Sequence, residues 1–277
     1  MIKVIFPLIL ALLSAFWAYS DFSENTLLIL TFHGVTDNPQ LPWEISYLKL
    51  KDCVDKFENS GYRHISPDLV EKWLSGEDRK GRFIFITFDD GLKSSYHAMK
   101  MLYSEKQIFS GIFLITDFIG KPGYVSTEDI LELNSSGFHI FLHGKSHDSP
   151  QKLEKMKLVS DLKYASKFLS ELASTSFRSW YAYPYGEYNE ASVDAVKLSG
   201  LRYAFTIDGD SISAPQSNLL LVPRVMYLKA PEDSSESVFH DWLPPDNIRT
   251  GYLKILISLF LLMFSAFSFL KRGSDKQ

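Results

Sequence analysis

Two carboxylates stand side by side where a strand should end. Ile84 to Phe88 is apolar and rich in β-branched and aromatic residues, which reads as a buried strand, and Asp89-Asp90-Gly91 follows at once. Folding gains nothing from two like charges there. Held close, they shift each other's proton affinity and take different duties, one binding a metal ion and the other handling a proton. By itself Asp-Asp-Gly is also a common turn. Further along, His143-Gly144-Lys145-Ser146-His147 places two imidazoles at i and i+4. On a turn of helix they share a face and reach one ion. Alone such a pair is weak evidence. With a carboxylate from a neighbouring strand end it becomes two His and one Asp, a set that binds Zn(II), Fe(II), Co(II) or Ni(II) and leaves positions open for water and substrate. A spare carboxylate beside that set suggests hydrolysis. The metal acidifies water and polarises a carbonyl, the carboxylate takes the water's proton, and a histidine protonates the departing amine.

The elements that must position these residues alternate between strand and helix signals. Strands are expected at Leu27–Phe32, Phe83–Phe88, Phe109–Ile115, Phe138–Leu142, Ser179–Ala182, Tyr203–Ile207 and Leu219–Val222. Helices are expected at Leu48–Asn59, Pro67–Leu74, Ser94–Lys106, Ser126–Asn134, Gln151–Ala173 and Asn189–Leu198. Ser66-Pro67 and the capping-box pattern Ser126-Thr127-Glu128-Asp129 mark two of the helix starts. Units of this length imply an α/β fold with a parallel sheet, either a closed or nearly closed barrel or a doubly wound open sheet. His33, Asp89, Asp90, His143, Tyr185, Asp208 and Arg224 all fall at or just after expected C-terminal strand ends, the rim on which parallel folds build sites.

Here the chain resembles a family. Thr87-Phe88-Asp89-Asp90-Gly91, then His143-x-x-x-His147, then Tyr183-Pro184-Tyr185-Gly186 is similar to the polysaccharide deacetylases, the NodB-like carbohydrate esterases of family 4. The likeness runs from about Leu27 to Leu228, and the opening Leu28-Ile29-Leu30-Thr31-Phe32-His33-Gly34-Val35 looks like the permuted branch that removes N-acetyl groups from poly-β-1,6-N-acetylglucosamine. The resemblance implies a distorted (β/α)7 barrel and a divalent metal, zinc favoured with cobalt, nickel or iron as alternatives. It implies Asp89 as general base, Asp90, His143 and His147 as metal ligands, His33 as general acid, and the Tyr185 backbone N–H as part of the oxyanion site. Tyr183, Pro184 and Arg224 are the expected substrate contacts. Two positions depart from the family pattern. Gly144 stands where a hydroxyl residue is usual, and Ala182 stands where many members carry an arginine. Either Arg224 or Arg178 is available to supply that cation.

With 277 residues, 45% hydrophobic composition and net charge −4, the chain can bury a sizeable core and shows no basic footprint for nucleic acid. Cys53 is the only cysteine, so no intrachain disulfide forms. Both ends are apolar. Residues 1–20 read as a signal peptide or N-terminal anchor, 21–230 as the catalytic domain, 231–250 as a linker, 251–270 as a transmembrane helix and 271–277 as a cytoplasmic tail. Lys271 and Arg272 follow the second apolar run, which puts the C-terminus in the cytoplasm and the domain outside it, held at the membrane. The expected partners are therefore an acetylated glycan at the cell envelope and the membrane itself. Two other functions compete with N-deacetylation: a catalytically silent glycan-binding or assembly protein on the same fold, and a two-His-one-carboxylate Fe(II) oxygenase.

Overall fold

The computed structural model describes residues 25–77, 80–209 and 211–228. The chain runs β1 (Thr26–Phe32), α1 (Tyr47–Asn59), β2 (Tyr62–His64), α2 (Pro67–Ser75), β3 (Arg82–Phe88), α3 (Lys93–Lys106), β4 (Gly111–Leu114), α4 (Thr127–Ser135), β5 (His139–Leu142), α5 (Lys155–Leu172), β6 (Phe177–Ala182), α6 (Glu190–Leu198), β7 (Tyr203–Phe205) and β8 (Val225–Met226). Local signals account for many of the helix ends. Ser46 accepts from Lys49 N–H, Pro67 opens α2 and Gly76 closes it, and Ser126 with Asp129 and Asn189 with Ser192 form capping boxes at α4 and α6.

Every paired strand is parallel, in the order β7-β6-β5-β4-β3-β1-β8, with β2 added beside β3. The sheet curls around an interior filled by alternate residues of its strands: Leu27 and Ile29, Phe85, Phe113, Phe141, Trp180 and Ala182, Tyr203 and Phe205. Phe141 stacks on Trp180 at 4.7 Å, with Phe113 at 4.8 Å from Phe141 and Phe205 at 4.8 Å from Trp180. Gly111 is required by this packing, since a Cβ there would lie 2.1 Å from the Phe141 ring. Val70, Trp73 and Leu74 of α2 pack against the same core.

The seventh expected strand, Leu219–Val222, is reduced to a single bridge from Val222 to Phe205. The ladder passes instead to β8, which pairs with Leu30 and Thr31 of β1. Segment 219–227 therefore touches both edges of the curled sheet. Val222 exchanges hydrogen bonds with Ala204 and Thr206, and Tyr227 N–H reaches the Thr31 carbonyl. The architecture is a curled parallel half-barrel with a non-regular segment across its seam, rather than an even ring of seven strand-helix units. Among the described residues no helix is long and apolar enough to cross a membrane. The leader or anchor expected at 1–20, the linker at 231–250, the span at 251–270 and the tail at 271–277 lie outside the described residues.

Candidate active site

The C-terminal ends of β1, β3, β5 and β6 deliver the chemistry to one place. Asp89 and Asp90 leave β3 in a sharp turn, with Asp90 at φ 70° and Gly91 at φ 73°. Asp89 N–H donates to the Phe32 carbonyl at 2.9 Å, which ties the turn to the end of β1. Of the four described non-glycine residues with positive φ, three are Asp90, His147 (63°) and Tyr185 (59°). Backbone strain of this kind is held where surrounding structure over-determines it, and here it gathers at the site.

Asp90 Oδ1 lies 3.4 Å from His143 Nε2 and 3.3 Å from His147 Nε2. That oxygen is buried and makes no hydrogen bond. The three ligand atoms lie within 4.8 Å of one another. Three donor atoms that converge without bonding to each other fit a metal ion. His143 Nδ1 is 2.9 Å from the Ala182 carbonyl, which turns Nε2 toward Asp90. Burial alone would lower the His143 pKa, but Asp89 and Asp90 outweigh it and raise it, an anionic field that favours a cation. Burial works against the charged form of Asp90 as well, yet the two imidazoles hold that carboxyl well below the usual range.

The histidine pair is not on a turn of helix, as the spacing suggested. Residues 143–150 form a loop, with Gly144 at φ 92° and His147 at φ 63°, both incompatible with a right-handed helix. The glycine at the position where the family usually has a hydroxyl thus supplies left-handed backbone, and its carbonyl accepts from Thr116 N–H at 3.2 Å.

Asp89 is the other half of the pair. It is buried beside Arg224, which is fully buried and donates from both terminal nitrogens to both carboxylate oxygens at 2.7 Å. Arg224 is held in turn by the Thr206 carbonyl and the Thr31 and Thr87 hydroxyls, at 3.2–3.3 Å, and its guanidinium sits 4.8 Å above the Phe113 ring. Burial would raise the Asp89 pKa, but Arg224 and His143 prevail and hold it at about 2. Two readings change here. Arg224 is fully buried rather than open as the expected substrate contact would be, and of the two arginines it, not Arg178, is the cation beside Asp89. It also sits at the start of β8 rather than after a strand, and only its long side chain reaches the rim.

His33 follows β1 and is half-buried. Burial is the largest influence on its imidazole and lowers the pKa, although Asp89 and Asp90 act in the opposite direction. Tyr185 is 60% exposed, and its ring lies 4.4 Å from that of His147. Its turn is closed by Gly186 N–H to Tyr183 and Glu187 N–H to Pro184, so these bonds do not engage the Tyr185 N–H. Tyr183 belongs to the packing rather than to an open groove. It is buried, its hydroxyl donates to the Leu220 carbonyl at 3.0 Å, and its ring meets Tyr181 and Tyr188. Pro184 is buried too, beside the 144–148 loop. Trp180 is core, whereas Trp43 at 42% and Tyr185 are exposed aromatics. Asp208 accepts from the Tyr188 hydroxyl at 3.3 Å. Thr31 and Thr87, which the sequence reading passed over, occupy the same register on adjacent strands. The repeated Thr-Phe before His33 and before Asp89 was the available signal.

Comparison with known proteins agrees with this geometry. Residues 76–204 match the family model "Polysaccharide deacetylase". Poly-β-1,6-N-acetyl-D-glucosamine N-deacetylases of Staphylococcus aureus and Staphylococcus epidermidis are 24% and 23% identical over 252 residues, covering 80% of this chain and 84% of theirs. The structure of IcaB from Ammonifex degensii superposes with a TM-score of 0.64 at 23% identity, covering 76% of this chain and 94% of that one. The Streptococcus pyogenes deacetylase PplD gives a TM-score of 0.68 at 19% identity, covering 80% and 100%. The matched segment identifies a polysaccharide deacetylase domain at residues 76–204, the named relatives agree with a hydrolase of that class, and the solved structures share the half-barrel fold.

Proposed function

We propose that this chain is a metal-dependent N-deacetylase of a poly-β-1,6-N-acetylglucosamine-like polysaccharide, acting at the cell envelope on the extracytoplasmic side of a membrane. The observation that carries the chemistry is the division of the Asp-Asp pair. One carboxylate faces two imidazoles, and the other is gripped by a buried arginine.

Asp90, His143 and His147 would hold a divalent metal, with zinc favoured and cobalt, nickel or iron also suited to the donors. When bound, the metal supplies Lewis acidity, lowering the pKa of water and polarising the acetyl carbonyl. Asp89 stays ionised throughout the working pH range, because Arg224 holds it down. Arg224 uses one lone pair on each carboxylate oxygen, and the remaining pairs accept the proton of the attacking water. The Tyr185 N–H steadies the oxygen that becomes negative as the carbonyl turns tetrahedral. His33 delivers a proton to the nitrogen as the C–N bond breaks, releasing acetate and a free amine. To do so it must enter the complex protonated, against the burial that lowers its pKa and with the help of Asp89 and Asp90. The substrate class is supported by the named relatives, and the location by the two apolar ends with Lys271 and Arg272 after the second.

The decisive experiment is acetate release across a panel of acetylated glycans, with metal content from the same preparation. Release from β-1,6-linked N-acetylglucosamine oligomers that is lost on chelation and restored by one metal supports the reading. Release that survives full metal removal sinks the metal dependence, and activity confined to another linkage sinks the substrate. For location, an alkaline phosphatase fusion at Asp246 is expected to be active and one after Lys271 inactive; the reverse pattern overturns the topology.

A further inference from the structure

Ser95 holds the loop that carries His33. It is in the first turn of α3 and fully buried, and its hydroxyl donates to the His33 carbonyl at 2.6 Å. Its neighbour Ser94 accepts from Val35 N–H at 3.3 Å. Serines at a helix start ordinarily serve their own helix end. Here the N-cap position is Leu92, which makes no side-chain cap, and both hydroxyls cross to the loop after β1.

His33 depends on such a hold. Its Nδ1 is buried and makes no hydrogen bond, whereas His143 Nδ1 is anchored on the Ala182 carbonyl. The His143 ring has a side-chain bond at Nδ1 to direct it; the His33 ring has none there, which leaves it more dependent on the placement of its backbone. The helix that supplies the hold begins at Lys93, directly after Asp89-Asp90-Gly91-Leu92. The short stretch from the β3 turn into the first turn of α3, residues 89–95, therefore holds both Asp89 and the clamp on the His33 loop.

We propose that Ser95 is a positioning residue for deacetylation, fixing the His33 imidazole at the departing amine relative to Asp89. This rests on the assignment of His33 as proton donor in the proposed function. A displacement of about 1 Å at such a group lowers turnover by as much as about 100-fold.

The test makes Ser95→Ala and Ser95→Thr, each alone and in a His33→Gln background, and measures acetate release, metal content and His33 imidazole 15N resonances. The expected result for Ser95→Ala is a kcat lower by about 10- to 100-fold with KM and metal content kept, and recovery of most of it in Ser95→Thr. In the His33→Gln background, Ser95→Ala costs nothing further, because the clamp then holds nothing catalytic. An additive loss in the double variant, or a raised KM with kcat unchanged, overturns the proposal. The imidazole resonances read placement without turnover. If they do not move in Ser95→Ala, the proposal fails however active the protein is. If wild type releases no acetate, the functional reading fails, and the resonance shift alone decides whether Ser95 places His33.

Discussion

Arg178 and Arg224 each pair with an aspartate, at opposite ends of one sheet. Arg178, near the start of β6, reaches Asp68 in the first turn of α2 at 2.8 Å and Glu71 at 3.7 Å, with the Arg178 and Asp68 side chains 27% and 67% exposed. Arg224 meets Asp89 with two parallel bonds of 2.7 Å at 0% and 3% exposure. The chemistry is the same, but water makes the two pairs different. At the exposed end solvent screens the attraction, and such a pair contributes about 0–1 kcal/mol. At the rim neither charge can be hydrated, so each depends on the other. That arrangement stands where the proposed reaction needs a charged carboxylate, whereas the Arg178–Asp68 pair is open to solvent.

The contrast can be broken by substitution. Asp89→Asn keeps shape and removes the proton acceptor; acetate release is expected to fall by about 100- to 10,000-fold with metal content unchanged. Normal turnover in that variant would take the base assignment away. Arg224→Met leaves Asp89 buried without a counter-charge, and a loss of about 3–5 kcal/mol in denaturant unfolding is expected. Arg224→Lys should restore little of it, because a single ammonium cannot reproduce the fork. A fully stable Arg224→Met protein would mean that Asp89 finds another partner.

His139 and Asp89 act in different windows of acid unfolding. His139, at the start of β5 beside Arg178, is held by burial, with Arg178 adding to it, at about 4 instead of 6.5. Its folded value is depressed, so the unfolded chain takes up the proton first, and stability drains as pH falls from 6.5 toward 4. Asp89, held at about 2 instead of 3.8, gives way only below that window, as pH falls toward 2. His139→Gln is therefore expected to remove on the order of 1–3 kcal/mol of the loss between pH 6.5 and 4, read from urea midpoints at several pH values. An unchanged pH slope would remove His139 from the account. The smallest effect belongs to Arg178→Met, within about 1 kcal/mol and without change in turnover. A large loss of activity there would end the distinction between the two pairs.

Much of the site was legible because its information is local. Asp89-Asp90-Gly91 is contiguous with the strand that buries it, and the His143/His147 spacing names a candidate ligand pair whatever backbone carries it. The backbone itself was not legible. An i, i+4 pair reads as helix, and only Gly144 hints at the left-handed turn that replaces it. Arg224 and Arg178 were indistinguishable in sequence, since choosing between them requires knowing that the ends of the sheet come together. Tyr183 reads as a substrate contact, yet its hydroxyl finds a carbonyl in the 219–227 segment and its ring is buried with its neighbours. In the fold, β2 and β8 are three and two residues long, too short for any period to show. Ser95 was hidden because a serine beside a helix start is unremarkable until its partner across the loop is known.

The segment across the seam couples assembly to chemistry. Residues 219–227 satisfy the open edges of β7 and β1 and, within the same stretch, carry the guanidinium that steadies Asp89. This piece is made after every other described part of the domain. A chain shortened to end before Leu219 would bare two strand edges and leave the base uncompensated at once. Under the proposed mechanism, completing the fold and arming Asp89 are then a single event.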